Sequence, residues 1–173
     1  MKPVVLAGPP RWARGVLRGV PRIWCVVLLL AACASARPLV TLALPEDVQV
    51  VPPPASIPAP QRALSGAWAG TWMCPGGVQP GATTFEAVLV VERLGETEAT
   101  IVYAWGQNVE ELAATGWTRA QAELGPGPQL RWVAPNRTFT FTLHEDGNAL
   151  RGTVWIAPSH DEIIDMTRAR VGR

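Results

Sequence analysis

Short alternating segments, each followed by turn residues, fill the chain from residue 66 to residue 170 and constrain its fold more than any other feature. In the segment from Arg137 to His144, apolar side chains alternate with threonines, which is the period of a strand with one buried face. Asp146-Gly147 follows, and this dipeptide is a strong hairpin signal. Eight such segments occur, over Gly66–Met73, Thr83–Arg93, Ala99–Trp105, Trp117–Leu124, Gln129–Ala134, Arg137–His144, Ala149–Ile156 and Glu162–Arg170.

The connections between these segments decide the topology. Most of them are too short to hold a crossover helix, so consecutive strands must pair antiparallel. An open sheet of this size would expose two edges, and closure into a barrel removes them. A two-sheet sandwich is the alternative, but its Greek-key crossings need longer connections than most of these turns provide. We predict an all-β domain over residues 63–170, an eight-stranded antiparallel up-and-down barrel, preceded by a signal helix and a Pro-rich linker.

The first 45 residues differ in composition from the rest of the chain. They contain six basic residues and no acidic residue, and the apolar run from Ile23 to Ala32 follows the basic stretch. A basic stretch before about 7 to 15 apolar residues is typical of a secretory signal peptide, and such a run is too short for a permanent transmembrane helix. We predict that residues 1–32 are a signal peptide and that the protein is exported.

Two cleavage sites stand at the end of this segment. Leu30-Ala31-Ala32-Cys33 resembles the bacterial lipobox, which implies that Cys33 carries lipid and that the membrane is a partner through this anchor. In a bacterium with two membranes, Ala34 after the cysteine implies the outer one, because it is not a retention signal of the Asp type. The alternative is the A-x-A site Ala34-Ser35-Ala36, and cleavage after Ala36 would give a periplasmic or secreted protein.

The segment after the signal is rich in proline. Seven prolines lie between residues 38 and 60. Proline has no backbone N–H and fixes φ, so this stretch can join neither a helix interior nor a central strand. We predict that residues 33–62 form a disordered, extended tether between the lipid anchor and the barrel.

The first and last predicted strands each carry a short motif. Gly66-Ala67-Trp68 opens the first strand, and Met166-Thr167-Arg168 lies in the last. The pair resembles the calycin group, the lipocalins, avidins and their relatives, in which a G-x-W tryptophan closes the barrel floor against an arginine of the last strand. The resemblance implies that Gly66, Trp68 and Arg168 close this barrel, with the guanidinium on the indole face.

A second tryptophan is also a candidate for the barrel floor. It is Trp72, because Gly70-Thr71-Trp72 repeats the motif.

The lipid-anchored, Pro-linked arrangement also resembles bacterial metalloprotease-inhibitor lipoproteins, which are small eight-stranded barrels that usually hold a disulfide. Cys74 is the only cysteine of the predicted barrel here. That resemblance implies the alternative function, a filled barrel that acts as a protein-interaction scaffold and presents a loop such as residues 106–116 to a protein partner.

The sequence contains no constellation of residues that fits an enzyme. His144 ends the sixth predicted strand and His160 precedes the eighth, so one strand of roughly 25 Å separates them. Nucleophile-elbow, zinc-protease and phosphate-loop motifs are missing from the sequence. With 15 basic and 14 acidic residues, the chain has no broad basic field for nucleic acid. We predict no catalytic activity, no metal site, no cofactor and no nucleic-acid partner.

Aromatic and arginine side chains gather on the third to fifth predicted strands. Aromatic walls with a few arginines suit an apolar or amphipathic molecule. Aromatics that only fill a small barrel core are the alternative. Alternation puts Trp117 and Arg119 on one face, which lies either outside the barrel or at a wet mouth. We predict a small-ligand site at the barrel mouth formed by Tyr103, Trp105, Trp117, Arg119 and Trp132.

Overall fold

The structure is a computed structural model that describes residue 40 and residues 42–74, 83–106, 115–156 and 160–171. All of these residues belong to one compact unit, Arg37–Arg173. The predicted signal peptide, both cleavage sites and Cys33 lie outside the described residues. Within the described ranges, no helix is long and apolar enough to cross a membrane.

Eight antiparallel strands form a closed barrel, as predicted. Each strand pairs with the next in sequence, and β8 returns to pair with β1. A single-turn helix, α1, precedes the first strand. The elements are α1 Ala59–Arg62, β1 Gly66–Cys74, β2 Thr83–Leu94, β3 Glu98–Trp105, β4 Gly116–Leu124, β5 Gln129–Ala134, β6 Arg137–Leu143, β7 Ala149–Ile156 and β8 His160–Ala169.

The strands form where apolar and polar side chains alternate, because alternate residues face the interior and the solvent. Along β7, Leu150 and Val154 are buried and Arg151 and Thr153 are exposed. The interior residues from the strands make one continuous apolar core. The sequence pattern therefore sets both the strands and the side of the wall that each residue occupies.

One end of the barrel, here called the floor, is plugged by the residues that lead into β1. Ile57 and Leu64 are 1% and 0% exposed and belong to the barrel core. The side chain of Arg62 holds this turn by donating hydrogen bonds to the carbonyl oxygens of Ala55 and Ile57, at 2.9 and 3.0 Å. The opposite end, at which β1, β3 and β5 finish, is the mouth.

Residues 42–51, here called the strap, lie against the outside of the barrel. The backbone N–H of Val51 donates to the carbonyl oxygen of Glu92 at 2.7 Å, and just before the strap Val40 donates to Arg170 at 3.0 Å. Apolar side chains from Val40 onward cover an apolar outer patch of β1, β2, β3 and β8. The covering residues are Val40, Leu42, Leu44 and Val48, and the patch consists of Ala67, Val88, Val90, Val102, Ala104 and Ala169.

Within the predicted disordered tether of residues 33–62, the strap and the residues from Ile57 to Arg62 pack on the barrel instead. Proline keeps this stretch out of the hydrogen-bonded ladder of the sheet. It does not prevent the apolar side chains between the prolines from packing, and their burial holds the segment on the barrel.

Candidate functional site

An aromatic cavity of about 380 Å³ opens at the mouth. The residues that line it come from the mouth ends of β1 to β6 and from the turn between β5 and β6. They are Trp72, Phe85, Tyr103, Trp105, Thr118, Trp132, Ala134, Pro135, Arg137 and Phe139. We call this space the mouth cavity.

The walls of the mouth cavity are aromatic rings packed against one another. The rings of Trp132 and Phe139 are stacked with centroids 4.4 Å apart, and those of Trp72 and Phe85 are 4.8 Å apart. Tyr103 contacts Phe139 at 5.2 Å between centroids. Such pairs contribute about 0.5–1.5 kcal/mol beyond the area they bury. The cavity therefore has walls whose shape is set by the core of the barrel.

Two of the lining residues bring polar chemistry to this apolar space. Trp72 is 2% exposed, and its buried indole Nε1 finds no acceptor among the described residues. The guanidinium of Arg137 lies over the ring of Trp72, with its Cζ atom 5.6 Å from the ring centroid. The wall thus combines a buried hydrogen-bond donor with a positive charge.

The wall is interrupted between β4 and β5. These strands pair only at Glu123 with Arg131 and at Leu124 with Leu130, at the floor end of β4. Toward the mouth the two strands do not pair within the described residues, and the cavity is lined by Thr118 from β4 and by Trp132, Ala134 and Pro135. We call this interruption the seam, and residues from both of its strands line the mouth cavity.

Three of the five predicted ligand-binding residues lie in the mouth cavity, and two do not. Tyr103, Trp105 and Trp132 line it. Trp117 is 46% exposed on the outer wall, and Arg119 shares that outer face. The structure therefore places these two residues outside the mouth cavity. The inward side chains of β4 are small, namely Thr118, Ala120 and Ala122, and the aromatic rings around the mouth cavity come from the other strands β1, β2, β3, β5 and β6.

Arg119 instead fastens the strap to the barrel wall. Its guanidinium donates to both carboxylate oxygens of Asp47, at 3.0 and 2.9 Å, and to Glu92 of β2 at 2.9 Å. The hydrogen bond from Arg119 lowers the pKa of Asp47 below its ordinary value of 3.8. The hydrogen bonds to Asp47 and Glu92 raise the pKa of Arg119 above its ordinary value. This arginine therefore has a structural contact outside the cavity.

The structure brings the residues of the two sequence motifs together at the floor. The Cζ atom of Arg168 lies 4.2 Å from the ring centroid of Trp68, which is fully buried. Arg168 also donates to the carbonyl oxygens of Ser65 and Gly147, at 3.0 and 3.2 Å, and to that of Ala63.

The glycine of the first motif lies beside this contact and has a backbone conformation that favours glycine. Gly66 has φ of 117°, which side chains disfavour, and a Cβ there would come 3.4 Å from Arg168 Nη1. Trp72, the second candidate for the floor, lies at the mouth instead.

The other reactive residues of the sequence are not gathered into a site. His144 follows β6 near the floor, whereas His160 begins β8 at the mouth, where it pairs with Ile156. Cys74 is the last residue of β1, and its side chain lies outside the description. Among the residues whose placement is given, no three His, Cys, Asp or Glu side chains are close enough to hold a metal ion.

Sequence reasoning missed several residues of the mouth cavity, above all Trp72 and Arg137. Both have a signal in the sequence, since each occupies an inward position at the mouth end of its strand. Comparison of the chain with family models, with curated proteins and with solved structures finds no match.

Proposed function

We propose that this barrel binds a small apolar or amphipathic molecule in the mouth cavity. The observation that carries the proposal is a cavity of about 380 Å³ with aromatic walls in a barrel that is otherwise packed. Ligand sites usually measure about 300–1,000 Å³ and combine apolar walls with a few polar groups. A dry apolar cavity of about 150 Å³ binds benzene, so this one has room for two or three fused rings. A scaffold that only presents its loops needs no such opening.

We also propose that the barrel is of the calycin-like type. A calycin-like fold is supported by the Trp68–Arg168 contact at the floor, by Gly66 beside it, and by the meander of eight strands. In that interpretation the floor is structural and the mouth is where ligands enter. No catalytic step is proposed, and the protein acts by binding.

The place of action that we propose is the bacterial cell envelope. The basic stretch, the apolar run and the lipobox-like Leu30–Cys33 support export and a lipid on Cys33. Intact mass measurement of the protein from its own membrane is expected to give a chain that starts at Cys33 and carries acyl groups. A chain that starts at Arg37 without added mass would overturn the anchor.

Ligand binding is tested with 1-aminoanthracene, an apolar three-ring fluorophore, added to the full-length protein. We expect saturable binding with increased fluorescence. Ala134→Trp fills the mouth cavity from the end of β5 and is expected to weaken binding about tenfold or more, which corresponds to about 1.4 kcal/mol.

Val133→Trp is the matched control, because Val133 is the neighbouring residue, is 57% exposed and is not part of the lining. It adds the same side chain without entering the cavity and is expected to leave the affinity unchanged. Equal affinities for Ala134→Trp and Val133→Trp, or no saturable binding to the wild type, would refute the proposal.

A further inference from the structure

The two buried tryptophans of β1 differ in their hydrogen bonding. At the floor, Nε1 of Trp68 donates to the carbonyl oxygen of Leu64 at 2.9 Å. At the mouth, Trp72 lines the mouth cavity and is 2% exposed, but its Nε1 has no acceptor among the described residues. Most buried donors in proteins are paired, because a buried donor without an acceptor is unfavourable. A bound acceptor would remove that penalty at Trp72.

The side chains that pack on Trp72 offer little that could accept its proton. Phe85 lies 4.8 Å from it between ring centroids, Phe139 contacts it edge-on at 5.8 Å, and Ile164 is its partner on β8. These three side chains have no acceptor. Arg137, with Cζ at 5.6 Å from the ring centroid of Trp72, carries only N–H donors, whatever its other contacts are. Because the wall supplies no acceptor, one has to come from a molecule inside the cavity.

The unpaired donor belongs to the enclosed part of the lining. Trp72, Phe85 and Phe139 are buried, whereas Trp105 and Trp132 are only partly buried. A hydrogen bond is stronger in such surroundings than in water, and a water molecule needs two to four polar partners to be held there. A carbonyl oxygen on an apolar molecule suits this place better than a water molecule, because apolar contacts hold the rest of the ligand.

The other walls of the cavity favour an aromatic ligand. Most of the described lining residues are aromatic. The rings of Trp132 and Phe139 are stacked at an interplanar angle of 17°, and those of Tyr103 and Trp105 at 26°. Aromatic rings prefer offset-stacked or edge-to-face contacts with other rings. A flat ring system therefore makes better contacts with these walls than a flexible chain does.

We infer that the mouth cavity selects flat aromatic ketones of two or three fused rings. The carbonyl oxygen accepts from Nε1 of Trp72, and the rings lie among the aromatic walls. This inference rests on the proposed function and adds the class of ligand to it. The binding is noncovalent, and it does not depend on the charge of Arg137, because the ligand is neutral.

Two neutral probes of the same shape test the acceptor. They are 2-acetylnaphthalene and 2-isopropenylnaphthalene, which differ only in a carbonyl oxygen against a methylene group, and each is measured by displacement of 1-aminoanthracene from the full-length protein. Partition of each probe between water and cyclohexane gives the reference, because cyclohexane forms no hydrogen bonds. We expect the ratio of affinities, ketone over alkene, to exceed the ratio of partition coefficients by about tenfold, as one hydrogen bond to a buried donor predicts.

Two substitutions assign this tenfold excess to its residue. Trp72→Phe keeps a ring and removes the N–H, and is expected to abolish the excess. Trp132→Phe is the matched control, because it makes the same change in the wall of the same cavity at a residue that is only partly buried. It is expected to weaken both probes alike and to leave the excess unchanged. Because the excess compares two probes of one shape in one protein, a general change in the cavity cancels.

The outcomes separate this inference from the proposal beneath it. If 1-aminoanthracene binds but the ratio of affinities equals the ratio of partition coefficients, the inference is overturned and ligand binding stands. That comparison uses the wild type and does not depend on how the variants fold. If the excess survives in Trp72→Phe, or is lost equally in Trp132→Phe, the donor is not Trp72, and the inference is overturned as well. If 1-aminoanthracene itself does not bind, the proposed function fails first.

Discussion

Replacement of Arg168 by methionine tests how the barrel is closed at its floor. The guanidinium stacks on Trp68 at 4.2 Å and donates to the carbonyl oxygens of Ser65, Gly147 and Ala63. These carbonyls belong to the segment before β1 and to the turn between β6 and β7, so a single side chain ties three parts of the chain together. Methionine keeps much of the apolar stem and removes every one of these polar contacts.

The expected loss of stability is large for one side chain. A hydrogen bond to a charged group contributes about 1.5–3 kcal/mol, and a desolvated cation–π contact about 2 kcal/mol. The contacts share one group, so their contributions do not add in full, and Arg168 is only partly buried. We expect the free energy of unfolding to fall by about 3–5 kcal/mol, out of the 5–15 kcal/mol typical of a small domain.

Urea denaturation followed by tryptophan fluorescence measures this loss. With a slope of about 2 kcal/mol per molar urea, the midpoint for Arg168→Met should fall by about 2 M. Arg168→Lys keeps the charge but cannot reach all of the carbonyls, and should lie between the wild type and Arg168→Met.

Arg151→Met is the matched control for this measurement. Arg151 pairs with Asp165 on the outer wall, where both side chains are about half exposed, and its loss should leave the midpoint unchanged. A midpoint for Arg168→Met no lower than that for Arg151→Met would refute the account of the floor given above.

Three further predictions concern the wall and the strap. Gly70→Ala should lower the urea midpoint strongly, because its Cβ would lie 1.9 Å from the carbonyl oxygen of Asp165 on β8, whereas Gly127→Ala, with no atom within 4 Å of its Cβ, should cost less. Asp47→Asn should weaken the tie to Arg119 and speed hydrogen exchange of the strap amides, measured by mass spectrometry, while exchange in the barrel strands stays unchanged. Because the pKa of Asp47 is lowered in the folded protein, the stabilisation of the strap by the Asp47–Arg119 pair is complete above pH 3.8 and is lost as the pH falls through the lowered pKa. Hydrogen exchange of the strap amides in the wild type and in Asp47→Asn should therefore converge only in that acidic range.

The strands and their order could be predicted because each depends on local chemistry. The alternation from Arg137 to His144 and the turn at Asp146-Gly147 match β6 and its hairpin to within one residue. Short connections leave few topologies, and closure follows from the exposed edges of an open sheet. The bounds and the order of the strands therefore depend little on packing between distant parts of the chain.

The side of the wall that β4 presents could not be read from its sequence. Alternation puts Trp117 and Arg119 on one face of the strand, and by its sequence that face can lie either outside the barrel or at a wet mouth. The face lies outside, and the large interior side chains, such as Tyr103 and Phe139, come from other strands. That information lies in distant parts of the chain.

The order of the strap cannot be predicted from its proline content. Proline content reports only which hydrogen-bonded structures a segment cannot join. Whether the segment is ordered depends on the apolar patch opposite it, formed by residues such as Val90 and Val102 of two other strands. The spacing of Leu42, Leu44 and Val48 among the prolines is the part of the sequence that corresponds to this packing.

The pairing of β1 with β8 has a consequence for biosynthesis. Ala67 pairs with Ala169, so the first strand acquires its second neighbour only after almost the whole domain has left the ribosome. Until then β1 has an unpaired edge, and such edges recruit strands from other chains. Contacts so distant in sequence also form slowly. The last ten residues of the domain therefore set the length of the interval in which a newly made chain can aggregate, and a shortened C-terminus would make that interval permanent.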